Sequence, residues 1–91
     1  MQQQTEMTAT TDTRQRIRDF LAENFLLRTD GFPYGDDASL LDEGVVDSTA
    51  VLELTLYLEE TFDISIPDEE IVPDNLDSVN RIVAYVEGKV E

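Results

Sequence analysis

Ser48 follows Asp47 at the point where an apolar-periodic run begins, and a hydroxyl in that place has two chemistries open to it. As a helix N-cap it would accept a backbone N–H and contribute about 0.5–2 kcal/mol to the helix. As an attachment point it would carry a phosphodiester, which the backbone donors and positive dipole end of a helix start favour. The other chemical candidates are the paired carboxylates Asp36-Asp37, Glu59-Glu60 and Glu69-Glu70. Paired acids can act as general acid and base, but neighbouring acids on exposed helices and loops are solvated charge, because a shifted pKa needs burial. The chain has no histidine and no cysteine, and Lys89 is its only lysine. The usual proton shuttle, thiolate ligand and nearby base for a serine nucleophile are therefore missing. Calcium loops built around Gly31, Gly35 or Gly44 fail because Leu, Phe or Tyr falls where an oxygen ligand is required. No catalytic residue and no metal site is assigned.

The charge selects among partners. Six basic residues stand against 21 acidic ones in 91 residues, a formal net charge of −15. Fifteen of the acids lie between residues 29 and 80, a stretch with no lysine or arginine. Nucleic acid and anionic membrane surfaces would be repelled, whereas a basic protein surface would be attracted. No run approaches the roughly 20 apolar residues of a membrane span, and the N-terminus lacks the order of a secretory signal. A cytoplasmic protein with one small core is expected, burying about 60–65% of its unfolded surface.

Three helices must position these residues. Residues 1–11 are rich in Gln and Thr without apolar periodicity and read as a disordered tail, leaving 12–90 as the domain. Ile17, Phe20, Leu21, Asn24 and Phe25 recur at helical spacing, with Thr11, Asp12 or Thr13 as cap and an end near Leu27 or Arg28. A long loop follows to about residue 47, anchored by Phe32, Leu40 and Leu41. Val51, Leu54, Leu58 and Phe62 form the inward stripe of a second helix. Leu52 and Leu56 are rotated off that stripe, so they either pack beneath the loop or form an exposed docking stripe. Pro67-Asp68-Glu69-Glu70 opens a short helix that Pro73 soon ends, and Asp77 or Ser78 caps a last helix with Val79, Ile82, Val83 and Val86 inward and Gly88 at its frayed end. The expected fold is all-α, a small four-helix bundle of three longer helices and one short one.

These residues also carry a resemblance. The run Leu41-Asp42-Glu43-Gly44-Val45-Val46-Asp47-Ser48, followed by Leu52-Glu53-Leu54 and then Leu58-Glu59-Glu60-Thr61-Phe62 through Ile66-Pro67-Asp68-Glu69-Glu70, resembles the acyl carrier protein family. The likeness covers residues from about 14 to 90. It implies an acyl-carrier-protein-like bundle, and a 4′-phosphopantetheine arm taken from coenzyme A onto Ser48, next to Asp47. The arm's thiol would carry acyl or aminoacyl groups as thioesters between enzymes of fatty acid, lipid or secondary-metabolite synthesis, while the carrier itself stays non-catalytic. Implied partners are a phosphopantetheinyl transferase, a loading ligase, and acyltransferases or synthases with basic docking patches. The second helix would be the recognition helix of a monomer. Asp47, Glu53, Glu59 and Glu60 would meet partner lysines and arginines, Leu52 and Leu56 would fill a shallow apolar contact, and Thr49 beside the modified serine would bear on transferase choice. The implied shelter for an acyl chain lies among Leu54, Leu58, Phe62, Ile17, Phe20, Val79 and Val83.

The motif departs from primary fatty acid carriers, which read Asp-Leu-Gly-Ala-Asp-Ser-Leu, in having Gly44-Val45-Val46-Asp47-Ser48-Thr49. That order is more similar to specialised carriers, D-alanyl, aminoacyl and peptidyl among them. Residues 29–38, with Phe32, Pro33 and Tyr34, form a further departure. A different class of function, an unmodified acidic docking module, would bind partners equally well without Ser48. The crowding of acids carries its own expectation: the melting temperature rises from low to moderate ionic strength, as screening weakens self-repulsion. A thermal melt series that stays flat with added salt would contradict it.

Overall fold

The computed structural model describes residues 9–27 and 30–90. It is all-α, with α1 (Ala9–Phe25), α2 (Ala50–Phe62), a 3₁₀ turn (Asp68–Glu70), the one-turn α3 (Pro73–Leu76) and α4 (Val79–Val90), and no strand among the described residues. Helix α4 touches α1, α2 and α3, so it is the element the others share. Its Val79, Ile82, Val83 and Val86 are all buried, as the spacing predicts. They meet Ile17, Leu21 and Ala22 of α1 and Leu54 and Leu58 of α2 in one core.

Helix α1 opens at Ala9, ahead of the residues expected to cap it, so Thr11, Asp12 and Thr13 lie inside the helix. Of the tail expected over residues 1–11, residues 1–8 lie outside the described residues, as does Arg28, whereas residues 9–11 already belong to α1, so the ordered domain begins before residue 12. The helix ends at Phe25, where Leu26 N–H reaches back to Leu21 O at 3.3 Å and Leu27 turns left-handed. Asn24 takes no part in the core; it is exposed and donates to Phe20 O at 3.1 Å. Helix α2 ends where Asp63 adopts φ 57°, its N–H donating to Glu59 O. Aspartate tolerates that left-handed cap.

The expected short helix at Pro67 is instead a 3₁₀ turn, and Pro73 opens α3 rather than closing anything. Proline suits this place because a first helical residue has no intrahelical use for its N–H. Ser78 caps α4, its Oγ accepting Arg81 N–H at 3.1 Å. Gly88 is not a frayed end, since α4 runs on through it to Val90. Glu70 Oε1 accepts the Tyr85 hydroxyl at 2.5 Å and lies 3.0 Å from Lys89 Nζ, tying the 3₁₀ turn to α4. These two partners hold the Glu70 carboxyl below its ordinary range, while burial and then the Glu70 bond push the Tyr85 phenol up.

The segment 30–38 is strapped onto two helices. Asp36 is shared by Arg14 at 3.0 Å and Arg18 at 2.5 Å, Arg18 Nη2 donates to Phe32 O at 2.9 Å, and Asn80 N–H donates to Asp36 O at 3.0 Å. One exposed ion pair contributes little, but a carboxylate held by two guanidiniums, on a residue whose carbonyl also accepts a backbone N–H, fixes the segment's path. Phe32 is buried beneath it. Leu54→Ala, at a fully buried site, is expected to lower unfolding free energy by about 2–5 kcal/mol in urea titration. Leu56→Ala, at an exposed site on the same helix, is expected to stay within about 0.5 kcal/mol of the parent.

Candidate functional site

The approach to Ser48 is built on a single coil over residues 39–46. Glu43 N–H donates to Ser39 O at 3.0 Å and Gly44 N–H to Leu41 O at 3.1 Å; Gly44 then turns left-handed at φ 76°. A side chain at that φ would be strained, so glycine permits the reversal. Leu40 O receives both Val45 N–H at 2.9 Å and Val46 N–H at 3.2 Å. Leu40, Val45 and Val46 are buried anchors, whereas Leu41, expected as one, is 48% exposed. The two valines went unrecognised as anchors because a pair of adjacent apolar residues has no helical period.

Asp47, not Ser48, caps α2. Its Oδ1 accepts Thr49 N–H at 3.0 Å and Ala50 N–H at 2.7 Å, while its carbonyl accepts Val51 N–H at 3.0 Å. Among the described residues no side-chain hydrogen bond involves Ser48, which is exposed. The capping reading of Ser48 is therefore corrected: the hydroxyl is available for chemistry. The phosphodiester argument is corrected as well. The Thr49 and Ala50 donors are committed to the Asp47 carboxylate, so of the two contributions expected there the helix dipole is the one left to favour an anion on Ser48.

Ser48 and Asp47 stand at the mouth of an apolar cleft of about 220 Å³. Its apolar lining comes from Leu40, Val46 and Val51 on the chain around α2's start and from Ile71, Pro73 and Leu76 around α3. This cleft lies apart from the shelter expected among the core residues. There Leu54, Leu58, Ile17, Val79 and Val83 pack against one another, and Phe20 stacks on Tyr57 at 3.9 Å.

The predicted partner residues separate into two groups. Thr49, Leu52, Glu53, Leu56 and Glu60 are all exposed and follow one another at helical spacing along the outer side of α2. Leu52 and Leu56 are 56% and 57% exposed, so they do not pack beneath the loop. Glu59 is different: its Oε2 accepts Ile66 N–H at 2.8 Å and fixes the chain leaving the helix. Among the described residues no group of three acids is placed to hold a metal ion, and no helix is long and apolar enough to cross a membrane.

Comparison with known proteins finds that the family described as "Phosphopantetheine attachment site" matches residues 15–86. The chain is 36% identical over 77 residues to a D-alanyl carrier protein of Lactobacillus acidophilus, covering 85% of this chain and 94% of that protein. It is 32% identical over 77 residues to an acyl carrier protein of Clostridium acetobutylicum, covering 85% and 95%. A D-alanyl carrier protein of Lactococcus lactis subsp. cremoris is 36% identical over 63 residues, covering 69% and 80%.

The assignment of the cap separates two neighbouring substitutions. Asp47→Ala is expected to lower stability by about 0.5–2 kcal/mol, the cost of losing a cap. Ser48→Ala is expected to leave the melting curve unchanged. Chemical denaturation of both variants beside the parent checks this, and an equal loss in the two would contradict the assignment.

Proposed function

The chain belongs to the family of phosphopantetheine-attachment carrier proteins, and on that footing we propose that Ser48 is the residue bearing the arm. A carrier that uses 4′-phosphopantetheine needs one reachable hydroxyl and no catalytic group of its own. The observation that supports Ser48 is its exposed hydroxyl, left unengaged by Asp47 and set at the mouth of the apolar cleft. In the transfer, Ser48 Oγ bonds to the pantetheine-side phosphorus of coenzyme A. The pyrophosphate link breaks, adenosine 3′,5′-bisphosphate leaves, and the hydroxyl proton passes to a base on the transferase. The arm's thiol supplies the thioester chemistry.

This chain's residues supply position and address. Asp47 fixes the start of α2, so the hydroxyl points from a rigid element rather than a loose loop. Thr49, Leu52, Glu53, Leu56 and Glu60 form the face offered to partners, where acids steer encounter with basic surfaces and a small apolar contact permits quick release. Glu59 joins that face only in part, since one of its oxygens serves Ile66. The partners are a phosphopantetheinyl transferase, a loading ligase and acyl-handling enzymes. The protein itself is non-catalytic and cytoplasmic, where coenzyme A is supplied.

We infer an acyl cargo from the apolar lining of the cleft beside Ser48, since a hydrocarbon chain folded back there would leave water. The relatives named D-alanyl carrier proteins favour a second reading, in which a small aminoacyl group leaves that cleft unused. Intact mass after incubation with coenzyme A and a broad-specificity transferase is expected to show one phosphopantetheine on the parent and none on Ser48→Ala. No mass gain on the parent across several transferases, or an equal gain on Ser48→Ala, would sink the carrier assignment at Ser48. On the loaded parent, an octanoyl thioester is expected to hydrolyse more slowly than an alanyl one relative to the same thioesters on free pantetheine. Equal relative rates would favour the aminoacyl reading.

A further inference from the structure

We propose that Asp77, 29 residues beyond Ser48 in the chain, is a positioning residue that holds the attachment segment in place from the α3–α4 junction; this rests on Ser48 as the attachment residue. Asp77 makes three bonds to residues 39–41. Its carbonyl accepts Leu40 N–H at 2.8 Å, Oδ1 accepts Leu41 N–H at 2.9 Å, and Oδ2 accepts the Ser39 hydroxyl at 2.6 Å. Ser39 Oγ in turn accepts Asp42 N–H at 3.1 Å, closing the start of the coil.

From there the connection runs on through hydrogen bonds and one peptide link. Leu40, whose N–H is held by Asp77, accepts Val45 and Val46 N–H with its own carbonyl. Val46 is joined to Asp47, and Asp47 caps α2 through Thr49 and Ala50. Ser48 sits inside this run, between the segment Asp77 anchors and the helix Asp47 anchors. The same contact joins two walls of the cleft, one from residues 40–41 and one ending at Leu76 and Asp77. In a chain of net charge −15 a further carboxylate adds repulsion. Its bonds to Ser39 and Leu41 offset that repulsion and give the charge a structural use.

A positioning role separates turnover from docking. Loading by transferase and coenzyme A is measured on the parent, Asp77→Ala, Asp77→Asn and Ser39→Ala, with amide hydrogen exchange on each. Asp77→Ala is expected to lower kcat/KM by about tenfold or more, carried by kcat, since small misplacements of a reacting group have effects of that order. KM for the carrier stays near the parent's, because the outer face of α2 is untouched. Val45 and Val46 amides exchange faster while those of Ile82 and Val86 keep their protection. Asp77→Asn restores most of the rate, its amide oxygen accepting Leu41 N–H and its NH₂ donating to Ser39 Oγ; Ser39→Ala falls between.

Parent-like kcat in Asp77→Ala would overturn the inference. So would a loss of loading accompanied by faster exchange throughout α4, which would mark general unfolding instead of local misplacement. Failure of the parent itself to load would remove the Ser48 reading and take this inference with it, whereas failure confined to the Asp77 comparison leaves Ser48 standing.

Discussion

Everything in this fold leans on the burial of one side of α4. Val79, Ile82, Val83 and Val86 leave water together, and α1, α2 and α3 each find part of their own burial against them. A chain this small has room for only one such core, so its other elements are arranged by what α4 leaves open. The inner face of α2 is held by Leu54 and Leu58, which turns the opposite side, with Leu52 and Leu56, outward as a geometric consequence. The outward leucines thus follow from the helix having a single partner surface.

Around that core, polar contacts set details that apolar burial cannot. The strap of Arg14, Arg18, Asp36 and Asn80 fixes the path of the 30–38 segment, Glu70 with Tyr85 and Lys89 fixes the 3₁₀ turn, and Asp77 fixes the coil before α2. Each joins a segment without regular structure to a helix. Nonlocal hydrogen bonds of this kind contribute about 1 kcal/mol apiece, small beside the core but enough to select one loop path among many. The cleft beside Ser48 draws its lining from residues 40–51 and 71–77, stretches that no single element contains.

This explains which parts were legible in the sequence. Helices α1, α2 and α4 were visible because each buries a face whose residues recur along the chain at the helical period. Helix α3 was not, since one turn has no period and Pro73 reads equally as a stop or a start. The start of α1 was missed because Thr and Asp near a helix beginning suggest a cap, yet they serve inside a helix whose first residues carry no apolar signal. At the site, Ser48 stood out through its place before α2 and through the family resemblance. The division of labour between Asp47 and Ser48 was hidden, because both side chains can cap and only the bend of the backbone decides which one turns inward. Glu59 looked like its neighbour Glu60 for a related reason: its bond partner, Ile66 N–H, belongs to a segment whose return could not be read from the helix alone.

Because the cap belongs to Asp47, a chain altered only at Ser48 retains its helix start and, under the docking proposed, the whole of its outer face. In a cell making both versions, the altered copies would compete for the same encounters and deliver nothing. Such a defect would act in proportion to the abundance of the altered copies, as an obstruction rather than a simple shortage.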